Sequence, residues 1–346
     1  MEPLGRRGGV PHRGPSQAEV AARAGVSAQT VSRVANGHDN VDPATRDRVL
    51  AVMREVGYRR NRSAVALRSG RHATIGVVMF ALGSFGNLRT WEALVLAADR
   101  AGLAVTLVLA ERRTREAVSA AFGRIAEQSV DGIVVLLEEH FLDVEEMPTW
   151  ADLPVVVVDA ADRSGLPFVD TDQGLGARQA TEHLLALGHE TVWHVSGPVS
   201  SYSAERRERS WRETLARAGC AVPEVVRGDW TAASGYRAGV SLRGRPEVTA
   251  VFAANDQMAL GMLRALHEHG VAVPRQVSVV GFDDAPDVSE FWPPLTTVHQ
   301  DFDAVGRAAV AMLLDRIDRR AVPAPTVIPT RLVVRESTAR PPEGTP

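Results

Sequence analysis

The sequence predicts an α/β protein: a small all-α helix-turn-helix headpiece followed by a two-lobed body of parallel sheets flanked by helices. Three observations predict it. The run from Ser16 to Asn36, SQAEVAARAGVSAQTVSRVAN, reads as two short helices around a tight turn. After Arg71, apolar runs of strand length alternate with helical segments. A chain of 346 residues is long enough for two or three domains and a sizeable core.

The opening stretch, residues 1–14, is polar and rich in Gly and Pro. It is expected to be a disordered extension with no signal peptide. The headpiece is placed at 15–60. Ser16 followed by Glu19 spells a capping box, and Val20, Ala21 and Ala24 then recur at helical spacing. Gly25 supplies the backbone freedom of the turn and Val26 plugs the angle between the helices. Ser27 caps the second helix. Its Val31 and Val34 face inward, which leaves Ala28, Gln29, Ser32 and Arg33 pointing out. Asp42-Pro43 starts a third helix with an apolar stripe of Val49, Met53 and Val56, ended by Gly57. The outward face of the second helix has the chemistry a DNA major groove accepts. Gln pairs with adenine N6 and N7, and Arg with guanine O6 and N7. An ordinary surface helical hairpin is the competing reading. The third helix, which closes a three-helix core, argues against it.

The body repeats one rhythm. TIGVVMF, LAVTLVLA, DGIVVLL, PVVVVD, TVWHVSG, VTAVFAA and VSVVGFD are Val-rich runs separated by helical segments, as in buried parallel strands of βαβ units. Ligands of such folds bind outside the carboxyl ends of the strands. Those ends carry Asp159, Asn255-Asp256 and Asp283-Asp284, with Arg207 and Trp230 following two further strands. Carboxylates, an amide and a guanidinium make paired hydrogen bonds to neighbouring sugar hydroxyls, and an indole face packs on the C–H face of a pyranose. Plain structural roles compete with this reading: Asp after a strand often caps the next helix, and a lone Trp usually fills a core. Asp284 is expected to be structural or interdomain.

Charge is unevenly spread. Residues 1–72 hold 13 Arg against 6 acids, a net of +7, so with −3 overall the remainder carries −3 − 7 = −10. A basic N-terminal module on an acidic body fits phosphate contact at one end. All 39 basic residues are Arg. The single Cys220 excludes an internal disulfide and fits a reducing cytoplasm, where the protein is expected. No run is long and apolar enough for a membrane span. No P-loop, nucleophile elbow or HExxH pair is present, so neither catalysis nor a metal or other cofactor is expected.

The blocks VSAQTVSRVANG, VDPATRDRVLAVMREVGYRRNRSAVALRSGRHATIGVV, GDWTAASGY, AANDQMALG, SVVGFDD and PPLTTVHQDF fall in one order over most of the chain. In these the sequence resembles the LacI family of transcription regulators, and several blocks lie close to its lactose-repressor branch. The resemblance implies a body like that of periplasmic sugar-binding proteins, with a first lobe of 73–169 plus 300–329 and a second of 170–299 plus 330–340. Residues 341–346 would be a disordered tail. It implies operator contacts from Ser27, Ala28, Gln29, Thr30, Ser32, Arg33, Asn36 and Thr45. It also implies a hinge helix over 61–72 that enters the minor groove, with Leu67 as the wedge and Asn61 and Ala64 lining the groove. The implied sugar contacts are Asp159, Arg207, Trp230, Asn255, Asp283, Gln300 and Phe302.

Departures from the family pattern are local. Gln17, Ala18 and Ala28 change the headpiece, Ala81–Thr90 does not reproduce an apolar loop of the first lobe, and Val169 stands where an aromatic is expected. The tail RLVVRESTARPPEGTP lacks leucine heptads, so a homodimer and not a tetramer is expected. The expected function is repression of transcription at a near-palindromic double-stranded operator, relieved by a small carbohydrate such as a β-galactoside or another disaccharide. A purine-type corepressor regulator, a plain solute-binding protein and an architectural DNA-bending protein are the rival readings.

Overall fold

The computed structural model describes residues 15–35, 37, 40–58, 70–80, 83–110, 114–136, 153–159, 166–320 and 324–342. The chain forms two compact units, residues 1–72 and 73–346, each described by itself.

In the first unit, α1 (Gln17–Ala24), α2 (Ala28–Ala35) and α3 (Pro43–Glu55) enclose one small core. Val20, Ala21, Ala24, Val31, Val34, Val49 and Met53 fill it, with Val26, Val56 and Tyr58 packed at its edge. Each helix starts on a polar cap. Ser16 Oγ accepts the Glu19 N–H, Ser27 Oγ the Thr30 N–H at 3.1 Å, and the Asp42 carboxylate the Thr45 N–H at 3.0 Å, with Pro43 opening α3. The expected capping box is half formed: the Glu19 carboxylate turns to Arg23 at 3.3 Å, one helical turn on. Gly25 takes a left-handed φ of 66° at the turn, where a side chain would be strained. Arg48 Nε donates to the Ala24 carbonyl at 3.0 Å and ties α3 to the end of α1.

The second unit holds two parallel sheets. In the first lobe, β1 (Thr74–Met79), β2 (Ala104–Leu109), β3 (Gly132–Leu136), β4 (Val155–Val158), β5 (Phe168–Thr171) and β11 (Thr326–Ile328) lie in the order β11-β5-β4-β3-β1-β2. Helices α4 (Phe85–Arg100) and α10 (Phe302–Ile317) cover one face of this sheet through a core that includes Leu94, Val134, Val156, Val305 and Leu313. Helix α5 (Arg115–Ala126) covers the other through Phe122 and Ile125. In the second lobe, β6 (Trp193–Ser196), β7 (Val226–Arg227), β8 (Ala250–Ala253) and β9 (Ser278–Val280) lie in the order β7-β6-β8-β9. Helices α6 (Gln173–Ala186) and α7 (Tyr202–Arg217) pack on one side, α8 (Ala232–Leu242) and α9 (Asp256–Glu268) on the other. An antiparallel pair, β10 (Thr297–His299) and β12 (Arg331–Val333), lies alongside.

The chain passes between the lobes three times: from β5 into α6, from β10 into α10, and from β11 into β12. Asp170 and Thr171 still pair with β11 in register with Val327 and Ile328, so the first passage comes at Asp172, the N-cap of α6. Three adjacent connections restrict the lobes to hinge-like motion about one edge. They also bring the carboxyl ends of both sheets to face a common cleft.

Candidate functional site

The first unit presents a defined outer face on α2. Val31 and Val34 are buried, whereas Ala28, Gln29 and Arg33 are exposed and Thr30 and Ser32 half-exposed. Ser27 and Thr30 hold each other, Oγ to Oγ1 at 2.9 Å, so both hydroxyls are fixed at the helix start beside the exposed positions. Thr45 is half-buried in the first turn of α3. Of the implied DNA contacts, Asn36, Asn61, Ala64 and Leu67 lie outside the described residues, as does the hinge segment 61–69.

In the second unit, Asp159, Arg207, Trp230, Asn255, Asp283, Gln300 and Phe302 all line one cleft between the lobes. Asp159 follows β4, Arg207 projects from α7, Trp230 follows β7, and Asn255 follows β8. Gln300 and Phe302 flank the second passage between lobes.

A buried circuit of polar side chains organises the second-lobe wall. Arg207 Nε donates to Gln173 Oε1 at 2.8 Å, Gln173 Nε2 to Gln300 Oε1 at 3.2 Å, and Gln300 Nε2 to Asp283 Oδ1 at 2.7 Å. Arg207 Nη2 stands 3.8 Å from the same Asp283 oxygen and closes the ring. The guanidinium also lies 3.7 Å from the Phe282 ring centre, and its Nη1 donates to the Ala254 carbonyl. Burial holds the Arg207 pKa below its ordinary value, against the pull of Asp283, Asp159 and Asp256. Burial likewise raises the Asp283 carboxyl to about 6, although Arg207 and Gln300 favour its charged form.

The backbone carries a second signature. Asp159, Trp230 and Asp283 have φ values of 59°, 70° and 115°, in a region that costs side-chain-bearing residues free energy. Among the described residues only six non-glycine positions have positive φ, and these three all line the cleft. Trp230 reaches its place because Gly197 leaves room for it: a Cβ at Gly197 would stand 2.3 Å from the indole ring.

Some expected residues serve the frame. Asn255 is the N-cap of α9: its Oδ1 accepts the Met258 N–H at 2.9 Å, and its Nδ2 donates to the Trp230 carbonyl and Gln257 Oε1, each at 3.0 Å. Both amide hydrogens are used, which leaves one Oδ1 lone pair for any ligand. Asp256, fully buried, accepts from Thr297 Oγ1 at 2.6 Å and the Ala285 N–H at 2.9 Å; burial pushes its pKa well up. Asp284 pairs with His299 at 2.9 Å and Arg335 at 2.7 Å, the structural role expected of it. Val169 does not line the cleft. It is buried in the first-lobe core.

Other lining residues escaped the sequence reading. Gln173 links Arg207 to Gln300, yet in sequence it is only the residue after a helix cap. Asp170 also faces the cleft. Burial and the neighbouring Asp159 raise its carboxyl to about 7, against an ion pair from Arg206 and the Thr171 N–H.

Residues 18–61 match the model of the bacterial regulatory proteins of the lacI family, and residues 181–338 that of the periplasmic binding protein-like domain. The lactose operon repressor of Escherichia coli (strain K12) is 36% identical over 327 residues, 93% of this chain and 90% of that one. The HTH-type transcriptional regulator CelR of Thermobifida fusca is 37% identical over 341 residues, 94% of this chain and 98% of that one. The crystal structure of the lac repressor dimer bound to operator and the anti-inducer ONPF superimposes with a TM-score of 0.83 at 35% identity, covering 94% of this chain and all (100%) of that one. That of a CelR–cellobiose complex does so with 0.70 at 34% identity, covering 93% of this chain and 99% of that one. No helix among the described residues is long and apolar enough to cross a membrane.

Proposed function

This chain belongs to the LacI family of bacterial regulatory proteins, and from that premise we propose that a small carbohydrate held between its lobes releases it from its operator. It is a DNA-binding transcription repressor and not an enzyme. The observation that carries the carbohydrate reading is that Asp159, Arg207, Asp283 and Asn255 line one cleft with the Trp230 indole, with Asp159, Asp283 and Trp230 on left-handed backbone. Charged and amide groups for vicinal hydroxyls, facing an indole for a C–H face, are the requirements of a pyranose site. A β-galactoside or another disaccharide is the proposed class, in keeping with the lactose and cellobiose names its relatives bear.

The mechanism follows from the hinge. In a homodimer, two headpieces meet two half-sites of a near-palindromic operator, with Gln29 and Arg33 of each α2 reading base edges and Ser27, Thr30 and Thr45 beside them. Asn61, Ala64 and Leu67 belong to the segment that would enter the minor groove between the half-sites. Sugar closing the lobes shifts the paired first lobes and separates the hinge segments, so operator affinity falls. Linkage then requires operator to weaken sugar binding by the same factor. A sugar that bound both lobe arrangements equally would not induce.

Thermal unfolding across a panel of mono- and disaccharides and nucleobases tests this, because a ligand of the native state raises Tm by mass action. A rise with one disaccharide, together with its release of operator in a mobility assay, is the expected result. A flat sugar panel with a rise for a purine overturns induction in favour of corepression.

A further inference from the structure

Asp283 and Asp284 have φ values of 115° and 57°, and among the described residues they are the one consecutive pair of non-glycine positions with positive φ. Such a backbone is unfavourable and persists only where its surroundings over-determine it. Glycine takes these angles at little cost, yet two aspartates stand here. Their carboxylates go to different partners. Asp283 faces the cleft and accepts from Gln300 Nε2 at 2.7 Å. Asp284 does not line the cleft: its Oδ1 accepts from Arg335 Nη2 at 2.7 Å and its Oδ2 from His299 Nδ1 at 2.9 Å.

The groups that grip Asp284 are themselves fixed. Arg335 Nη1 donates to the Leu295 carbonyl at 2.8 Å, and the Arg335 backbone N–H donates to Thr296 Oγ1 at 2.9 Å. His299 precedes Gln300, so neighbouring side chains at the end of β10 hold the neighbouring carboxylates of the turn. The Asp283 N–H donates to the Val298 carbonyl at 2.8 Å and sets the turn against β10. Strand β10 leads into α10 of the first lobe. Arg335 follows β12, which pairs with β10 and is reached from β11 of the first lobe. The grip on Asp284 therefore sits where the second and third passages between the lobes run side by side.

Resting on the carbohydrate reading above, we propose that Arg335 and His299 are positioning residues: by clamping Asp284 they hold the strained turn that aims the Asp283 carboxylate at the effector. Neither lines the cleft. Without the clamp the turn relaxes toward ordinary φ, and rotation of the backbone at 283 carries its carboxylate away from Gln300 and Arg207. A ligand then has to order the turn as it binds, and that cost appears as weaker affinity. Arginine suits the role because its planar fork reaches two acceptors at once, the Asp284 carboxylate and the Leu295 carbonyl.

The test is calorimetric titration of the full chain with each sugar that raises its Tm, beginning with cellobiose and lactose, beside a crystal structure of Arg335→Met. Arg335→Met should weaken sugar binding at least about tenfold, as the loss of one hydrogen bond to a charged group does. Arg335→Lys, which keeps the charge but not the fork, should recover part of that loss. Ser337→Ala is the control. It loosens the same tail by removing bonds to Thr296 and Val279 at 2.7 and 2.6 Å, and should lower Tm without changing affinity. In the crystal structure the Asp283 carboxylate should have left Gln300. Unchanged affinity in Arg335→Met, or an equal loss in Ser337→Ala, overturns the clamp and leaves the carbohydrate reading intact. Should Arg335→Met unfold at the assay temperature, Asp284→Gly, which accepts the left-handed φ without strain, carries both measurements. If the wild type binds no sugar, the carbohydrate reading fails and the crystal structure decides the clamp: Asp283 still 2.7 Å from Gln300 overturns it, and Asp283 displaced supports it.

Discussion

Asp170, in the strand that leaves the first sheet, is ion-paired with Arg206 of α7 and joins the two lobes beside the cleft. The carboxylate is 2% exposed and has Asp159 as a like-charged neighbour, so its proton is held up to about pH 7. The same contact therefore bears on lobe geometry and on pH.

Because burial raises the folded pKa of Asp170 from 3.8 to about 7, its contribution to stability is fully present below pH 3.8 and is lost as pH rises through 7. Asp170→Asn should remove that contribution. The Tm difference between wild type and variant should shift against the wild type between pH 4 and 7 and level off above. A difference constant across pH would show that the carboxyl titrates normally.

His194 works in the opposite sense. It lies fully buried, stacked 4.8 Å from Phe252 with Trp211 at 5.2 Å, and burial lowers its pKa from 6.5 to about 4. A depressed base adds stability above pH 6.5 that is lost as pH falls through about 4. His194→Phe should melt lower at pH 7, having lost the bond from Nδ1 to the Phe252 carbonyl, and should lose less on acidification. Parallel acid curves for the two proteins would contradict this.

Arg207→Ala should cost roughly 3–5 kcal/mol in denaturant unfolding, the usual penalty for stranding a buried charge partner. The penalty should shrink toward pH 5, where Asp283, whose pKa is about 6, takes up a proton. A small cost at pH 7 would mean that the circuit relaxes without its cation.

Gly197→Ala should displace the Trp230 indole, which a new Cβ would meet at 2.3 Å. Effector affinity should fall at least about tenfold, equivalent to 1.4 kcal/mol. The fluorescence response of Trp230 to ligand should be lost as well. Unchanged affinity would remove Trp230 from the ligand-contacting wall.

Arg33→Ala, at an exposed position on α2, should cost roughly 1–3 kcal/mol in operator binding and relax preference at one base position. A binding series over all substitutions of one half-site checks this. Uniform weakening at every base would identify a phosphate contact instead.

The sequence alone determined the local parts of this protein. Caps at Ser16, Ser27 and Asp42, the apolar spacing of Val20, Val31 and Val49, and the Val-rich runs of β1, β3, β4 and β8 are signals contained within a few neighbouring residues. The strand ends then pointed to Asp159, Asn255 and Asp283, because an open parallel sheet gathers its loops on one side. What the residues do to one another was decided by tertiary structure. The three passages where the chain changes lobes, after β5, β10 and β11, are short and carry no clear period, so they left little mark in the pattern. The circuit from Arg207 through Gln173 and Gln300 to Asp283 joins residues 34, 127 and 17 positions apart. No window of sequence contains such a set, and Gln173 has no local signal at all. Nor does spacing reveal that Gly197 makes room for Trp230, or that burial beside Asp159 raises Asp170. Hydrogen bonding and desolvation depend on distance in space, and only the folding of both lobes around one hinge sets that distance.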